Sequence, residues 1–291
     1  SEMCIRDRTV HDDSTGHPAG WWPLTGTSGT PTYAADSSGS GNPAIVHGGA
    51  SLTSAGASFD GSSGAVSLPD NLVKGQTAVS VSLWFKTTST STGTLFSTGN
   101  SAPGTASPSG SAMPVMYVGS DGKLYSHFWT SPGNVPGMSS PGKVNDGTWH
   151  HVVLSGSGST QTLYLDGSQV GTLSGQINNT DPLNMVGAGV YNSNGWPAAP
   201  SGTTWNYFTG QIADVQVYDR ALSAADASSL YGRGQSGAAL DSHLLTTTWT
   251  LDQRGLPTSM TNPGGNTTSY LFDEAGKLAQ VIQPVINTEV G

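Results

Sequence analysis

The sequence predicts an all-β protein: a two-sheet antiparallel jelly-roll sandwich followed by a short C-terminal β-hairpin repeat segment. Three observations carry this. The 291 residues include 40 Gly and 17 Pro and only 10% charged residues, a composition of many turns and few helices. Apolar residues recur at a period of two in short segments. Asp-Gly pairs, which tolerate the positive φ of tight turns, punctuate those segments.

Taken in order, Asp60-Gly61 marks a first turn. Val79, Val81, Leu83 and Phe85 then alternate with Ser80, Ser82, Trp84 and Lys86, the pattern of a strand with two distinct faces. Asp121-Gly122 and Asp146-Gly147 are further turns, and His150, His151, Val152, Val153 and Leu154 read as a buried strand. Leu163 to Leu165 and Val170 to Leu173 flank Asp166-Gly167 as a hairpin. Val215 to Tyr218 form a late strand. One helix is expected over Ser223 to Tyr231, with Ser223 as cap, Asp226 three residues on and Gly232 as its end. Two loops, Thr98 to Pro114 and Tyr191 to Trp205, are rich in Gly, Pro, Ser and Asn.

Residues 248 to 284 repeat with a period of about 21 residues. Trp249, Asp252, Gly255 and Pro263 recur as Tyr270, Asp273, Gly276 and Pro284, so each unit reads as strand, turn, strand. The domain reading is therefore an N-terminal stretch over 1–13, a sandwich over 14–233, a linker over 234–245 and two repeats over 246–291. Residues 1–8 resemble a translated sequencing-adapter fragment and carry no fold signal. Both ends read as cut, with further repeats of this protein's own chain as partners of the last two.

Composition also excludes. The net charge of −9 argues against a nucleic-acid partner, because such a surface repels phosphates. No run of about 18 apolar residues points to insertion in a membrane. Cys4 is the only cysteine, so neither an internal disulfide nor a Cys-based zinc site can form. Glu stands only at Glu2, Glu274 and Glu289, so the sandwich has none. Glycosidases place two carboxylates across the scissile bond, and this shortage favours a protein that is not an enzyme. His150 and His151 are adjacent on a strand and point to opposite faces, so they cannot chelate one ion together.

Phe59-Asp60-Gly61, the run Val81 to Lys86, Asp146-Gly147-Thr148-Trp149-His150-His151, Leu163 to Gly167 and the closing Gly210 to Leu222 occur in the order found in laminin-G-like, concanavalin A-like lectin domains. Over residues 20–233 the chain resembles that superfamily, which implies two sheets packed face to face. The repeats resemble RHS/YD repeats of secreted or cell-surface bacterial proteins. The first resemblance also implies structural calcium: Asp36 to Asn42 resembles the family's calcium loop, with Asp214 as its late-strand partner. Asp36, Asn42 and Asp214 would supply side-chain oxygens, as a hard cation requires. The alternative is an ordinary Asx-turn loop with Asp214 solvated at a strand end.

Glycan recognition needs aromatic faces and hydroxyl-binding polar groups. Tyr191, Asn194, Trp196 and Trp205 have that make-up, and His127, Phe128 and Trp129 form a second group. These aromatics could equally pin loops to the sandwich. The expected function is a non-catalytic recognition module for glycan or a surface protein. The alternatives are a spacer or shell-capping domain and a concanavalin-fold hydrolase.

Overall fold

A computed structural model describes residues 18–26, 33–108, 110–131, 137–192, 195–235, 248–252, 254, 256–261, 267–273 and 275–282. The chain divides into two compact units, Ser1–Asp241 and Ser242–Gly291.

The first unit contains two eight-stranded sheets, with every strand pairing described in them antiparallel. One runs Ser168–Ser174, Thr160–Leu165, His150–Ser157, Ala78–Lys86, Thr209–Tyr218, Gly56–Asp60 and Ala50–Thr53, with Gly20–Trp22 also paired to Thr209–Tyr218. The other runs Met138–Lys143, Lys123–Ser126, Ala112–Val118, Gly93–Gly99, Leu183–Val186, Ala65–Leu68, Ala44–His47 and Tyr33–Ala34. Inward residues of both sheets form one core. Val79, Val81, Leu83, Phe85, Val152, Leu154, Val215 and Val217 meet Val66, Leu95, Val115 and Tyr117 there. Alternation along each strand puts these side chains on one face. Their burial removes apolar area from water at about 1.5–3 kcal/mol per large side chain.

The other face of the first sheet is buried as well. The period of two assigns Ser80, Ser82 and Trp84 to a face that would ordinarily meet solvent, yet all three are buried. The cause is the helix Ala224–Gln235 and the segment leading into it. Val153, Tyr164 and Tyr218 form a second cluster with Leu222, Ala227 and Leu230. Ser80 Oγ donates to the Arg220 carbonyl at 2.8 Å and accepts from Leu222 N at 2.9 Å, and Ser155 Oγ donates to the Leu222 carbonyl at 2.8 Å. These serines are anchors for a crossing segment, which is why polar residues hold those positions. The helix starts as expected: Ser223 Oγ accepts from Asp226 N at 3.2 Å, and Asp226 Oδ2 accepts from Ser223 N at 2.8 Å, a reciprocal cap. It does not stop at Gly232 but continues to Gln235, so residues 234 and 235, expected in the linker, are helical.

The Asp166-Gly167 hairpin has both central residues at positive φ, 50° and 75°, as a type I′ turn demands. Of the two expected loops, the first narrows because Ala112–Val118 is a strand. The second narrows because Thr204–Tyr207 pairs with Ala188–Tyr191. That hairpin lies on the second sheet, where Ser97 Oγ donates to the Ala188 carbonyl at 2.7 Å and Thr94 Oγ1 donates to the Tyr191 hydroxyl at 3.2 Å.

The second unit contains a four-stranded antiparallel sheet, Thr248–Leu251, Pro257–Thr261, Thr267–Phe272 and Leu278–Ile282. The two repeat copies make the same turn. Asp252 N donates to the Leu256 carbonyl at 2.8 Å and Asp273 N to the Lys277 carbonyl at 2.9 Å. Each aspartate also accepts the amide four residues on, at 3.0 and 2.8 Å. No helix among the described residues is long and apolar enough to cross a membrane.

Candidate functional site

Two of the three expected metal ligands, Asp36 and Asp214, bond to one residue, Trp21. Asp36 Oδ1 accepts the Trp21 backbone N–H at 3.1 Å, while the Trp21 indole N–H donates to Asp214 Oδ1. Trp21 thus ties the early loop to the late strand. Asp36 also organises its loop, accepting Ser38 N at 2.9 Å and Asn42 N at 3.1 Å. Asn42 engages through its backbone, and its carbonyl accepts the Trp22 indole N–H at 3.0 Å. Asp214 is 5% exposed rather than solvated, and it sits in a bulge between Ala213 and Gln216 with φ of 51°. Its other oxygen accepts Gln216 Nε2 at 2.9 Å. Burial raises its pKa, against which the Gln216 and Trp21 bonds and the Arg233 charge act.

In kind, this donor set fits a hard cation: two carboxylates, an amide and a loop rich in carbonyls. A buried carboxylate with two neutral donors also gains from a nearby positive charge. Each of the four carboxylate oxygens already accepts at least one N–H, so an ion would share them. No group of three or more His, Cys, Asp or Glu that could hold a metal occurs among the described residues.

The expected ligand-binding residues separate. Tyr191 is fully buried, edge-on to Tyr117 at 5.4 Å between ring centroids. Trp196 is 4% exposed, donates its indole N–H to Asn192 Oδ1 at 3.0 Å and packs toward His127 and Trp129. Rings in these positions pin the loop and offer no face to a sugar. Asn194 lies outside the described residues. Trp205 is half-buried, stacks on Tyr207 at 6.0 Å and donates to the Thr105 carbonyl at 2.8 Å.

A cavity of about 220 Å³ opens beside this loop, where Thr98 and Met113 face each other across the second sheet. Trp129, Asn179, Asp181 and Asn192 supply its chemistry. Two neighbouring backbones hold the Asn178-Asn179 segment: Asn178 N donates to the Trp129 carbonyl at 2.9 Å, and Gly75 N donates to the Asn179 carbonyl at 2.8 Å. Asp181 is buried and accepts Ser111 Oγ at 2.7 Å. Asn192 joins the cavity to the Trp196 loop, since its Nδ2 donates to the Gly110 carbonyl at 3.0 Å while its Oδ1 holds Trp196. Asn179 is 4% exposed, and neither its amide nitrogen nor its amide oxygen has a hydrogen-bond partner. Both atoms are sealed from solvent, and an amide left unpaired in this way costs free energy. Asn179 and Asp181 carry no local signal, because Asn178-Asn179-Thr180-Asp181-Pro182 reads as an ordinary turn.

Two Ser–His pairs also form among the described residues, His47 Nε2 with Ser67 Oγ and His151 Nε2 with Ser82 Oγ, each at 2.9 Å. Asp166 bonds the His151 backbone N–H and the His150 ring instead of the His151 ring. Both Ser82 and His151 are buried beneath the helix, so a substrate cannot reach the pair.

Residues 60–228 match the sequence model of the concanavalin A-like lectin/glucanases superfamily, and residues 245–285 match that of the RHS repeat. No curated protein matches the sequence. Among solved structures, a Trypanosoma rangeli sialidase in complex with 2,3-difluorosialic acid is 14% identical with a TM-score of 0.52 over 75% of this chain. This chain spans 33% of the sialidase's length. The binding domain of botulinum neurotoxin serotype D is 14% identical with a TM-score of 0.50, over 92% of this chain and 69% of its own. Domain 4 of AbnA, a Geobacillus stearothermophilus arabinanase bound to arabinotriose, is 21% identical with a TM-score of 0.46, over 68% and 92% of the two chains. For the sialidase and the neurotoxin domain, at these identities, the likeness is one of fold alone.

Proposed function

Because this chain belongs to the concanavalin A-like lectin/glucanases superfamily, we propose that its sandwich is a non-catalytic carbohydrate-recognition module of a secreted or cell-surface bacterial RHS-repeat protein. The observation that carries this reading is the cavity of about 220 Å³ that Trp129 lines together with Asn179, Asp181 and Asn192. An aromatic wall with a few convergent polar groups is the make-up of a sugar site. Asp181 is the one carboxylate among the described residues that line it, where glycoside hydrolysis uses two, and this favours binding over cleavage. Calcium held by Asp36, Asn42 and Asp214 would act structurally, joining the early loop to the late strand beneath Trp21.

The test is a glycan array probed with the full chain, with calcium and again with chelator, beside Trp129→Ala. The expected result is a reproducible hit that weakens at least tenfold in the variant. A blank array from folded protein would favour a spacer role, and release of reducing sugar from a bound polysaccharide would overturn the non-catalytic part.

A further inference from the structure

Resting on that reading, we infer that the cavity takes the terminal sugar of a glycan chain and excludes the same sugar inside a polysaccharide. Two features set this selection, the size of the cavity and the closure of its rim. Size limits what enters. A cavity of about 150 Å³ holds one benzene ring, so one of about 220 Å³ holds a single sugar ring with its hydroxyls and not two linked rings. Sites that enclose larger ligands run to about 300–1,000 Å³. The floor cannot deepen to admit more. Thr98 pairs with Met113 and Gly99 with Ala112 across two interior strands of an eight-stranded sheet, so their separation is fixed by the ladder.

The rim is a circuit of contacts. Asn178 N donates to the Trp129 carbonyl at 2.9 Å, and three residues on Asp181 accepts Ser111 Oγ at 2.7 Å. The neighbouring Gly110 carbonyl accepts Asn192 Nδ2 at 3.0 Å. Asn192 Oδ1 in turn accepts the Trp196 indole N–H at 3.0 Å, and the Trp196 ring lies 6.5 Å from that of Trp129, where the circuit began. All of these residues except Trp196 line the cavity. A polysaccharide lying across the site would enter at one side and leave at another, which requires two breaks in such a rim. A chain end requires only the mouth. Breaking the circuit at Ser111 or at Trp196 takes a hydrogen bond from a buried partner, Asp181 in the first case and the indole in the second. The far wall is stiff as well. Gly75 N donates to the Asn179 carbonyl at 2.8 Å, and Asn71 N and Asn184 Nδ2 donate to the Pro182 carbonyl at 2.7 and 3.1 Å. A wall held in this way keeps its shape before a ligand arrives.

The experiment is a competition assay, with the full chain bound to its hit from the array. The soluble competitors are the methyl glycoside and the hexasaccharide of gluco, galacto, manno, xylo and arabino series. One more competitor is the hexasaccharide of the hit series, capped at its non-reducing end by a sugar that does not compete. The methyl glycoside is expected to compete within threefold of its hexasaccharide, and the cap to weaken competition at least tenfold. Trp129→Ala is expected to weaken binding of methyl glycoside and hexasaccharide alike, at least tenfold. Asn192→Ala, with its melting temperature verified, opens the rim at Gly110 and is expected to narrow the preference for uncapped over capped chains at least threefold. A hexasaccharide more than threefold better than its methyl glycoside means a run of subsites, and would overturn the inference while leaving carbohydrate recognition standing. So would a capped chain that competes within tenfold of the uncapped one, or an Asn192→Ala variant that keeps the parent's discrimination. No competition by any series, or binding untouched by Trp129→Ala, would instead remove the functional reading beneath it.

Discussion

The indole of Trp21 donates to the carboxylate of Asp214 across 193 residues of chain, joining the first described strand to the last strand of the same sheet. Asp214 accepts Gln216 on its other oxygen, so Asp214→Ala leaves two N–H donors to find new partners. At about 1–3 kcal/mol for each buried group left unpaired, the variant is expected to lose about 2–6 kcal/mol. Urea denaturation in chelator measures this. If calcium sits here, adding it raises the melting temperature of the parent and leaves that of Asp214→Ala unmoved.

His151 and His150 are predicted to act in opposite pH windows. Burial pushes the His151 pKa down from 6.5 to about 3, with the Arg233 charge adding to the effect and Asp166 opposing it. Its unfolded form takes up a proton below pH 6.5 while the folded form does not, so stability falls as pH drops from 6.5 toward 3. Between pH 6.5 and 5 the expected loss is about 2 kcal/mol. His150 has its pKa raised, chiefly by its hydrogen bond to Asp166. Its stabilising contribution is fully present below pH 6.5 and is lost as pH rises through its folded value. Denaturation curves from pH 4 to 8 should lose the acid-side slope in His151→Phe and the slope above pH 6.5 in His150→Gln.

What the sequence could and could not reveal follows from where each property resides. The strand Ala78–Lys86 was legible because alternation is local, and the Asp166-Gly167 turn was legible because positive φ is a property of two residues. The burial of Ser80, Ser82 and Trp84 was not, because a helix begun more than 140 residues later covers them. The aromatics of the Tyr191–Trp205 segment show the same limit. Composition could place Tyr191, Trp196 and Trp205 in one loop, but only the packing shows Tyr191 and Trp196 turned inward and Trp205 half-buried. Asn179 was invisible for a further reason: what distinguishes it is the lack of partners around it, which no spacing encodes.

Gly210 is predicted to be irreplaceable. Its φ is 143°, and a Cβ there would lie 2.2 Å from the Lys86 carbonyl oxygen of the neighbouring strand. The obstacle is backbone in the middle of a sheet, so rotamer change cannot relieve it. Gly210→Ala combines a backbone conformation unsuited to L side chains with a steric clash, and about 3 kcal/mol or more of destabilisation is expected. Thermal denaturation decides, and a melting temperature within 2 °C of the parent (about 0.5–1 kcal/mol for a domain of this size) would contradict the placement of this strand.

Asn192 is predicted to govern the mobility of the cavity wall. Its two amide atoms make separate bonds, one to the Gly110 carbonyl and one from the Trp196 indole, so one side chain links two long loops. In Asn192→Ala the indole N–H of Trp196 loses that acceptor and residues 100–111 lose a tether. Trp196 remains packed against the core, so the effect on global stability should stay near 1–2 kcal/mol, about that of a hydrogen bond with one buried partner left over. The local effect should be larger in proportion, because loops with few core contacts open at low free energy. Hydrogen exchange of peptides spanning residues 100–111 is therefore expected to accelerate severalfold, while exchange in the strand Ala78–Lys86 stays at the parent rate. Acceleration spread evenly over both segments would mean that Asn192 supports the sandwich as a whole and not the wall of the site.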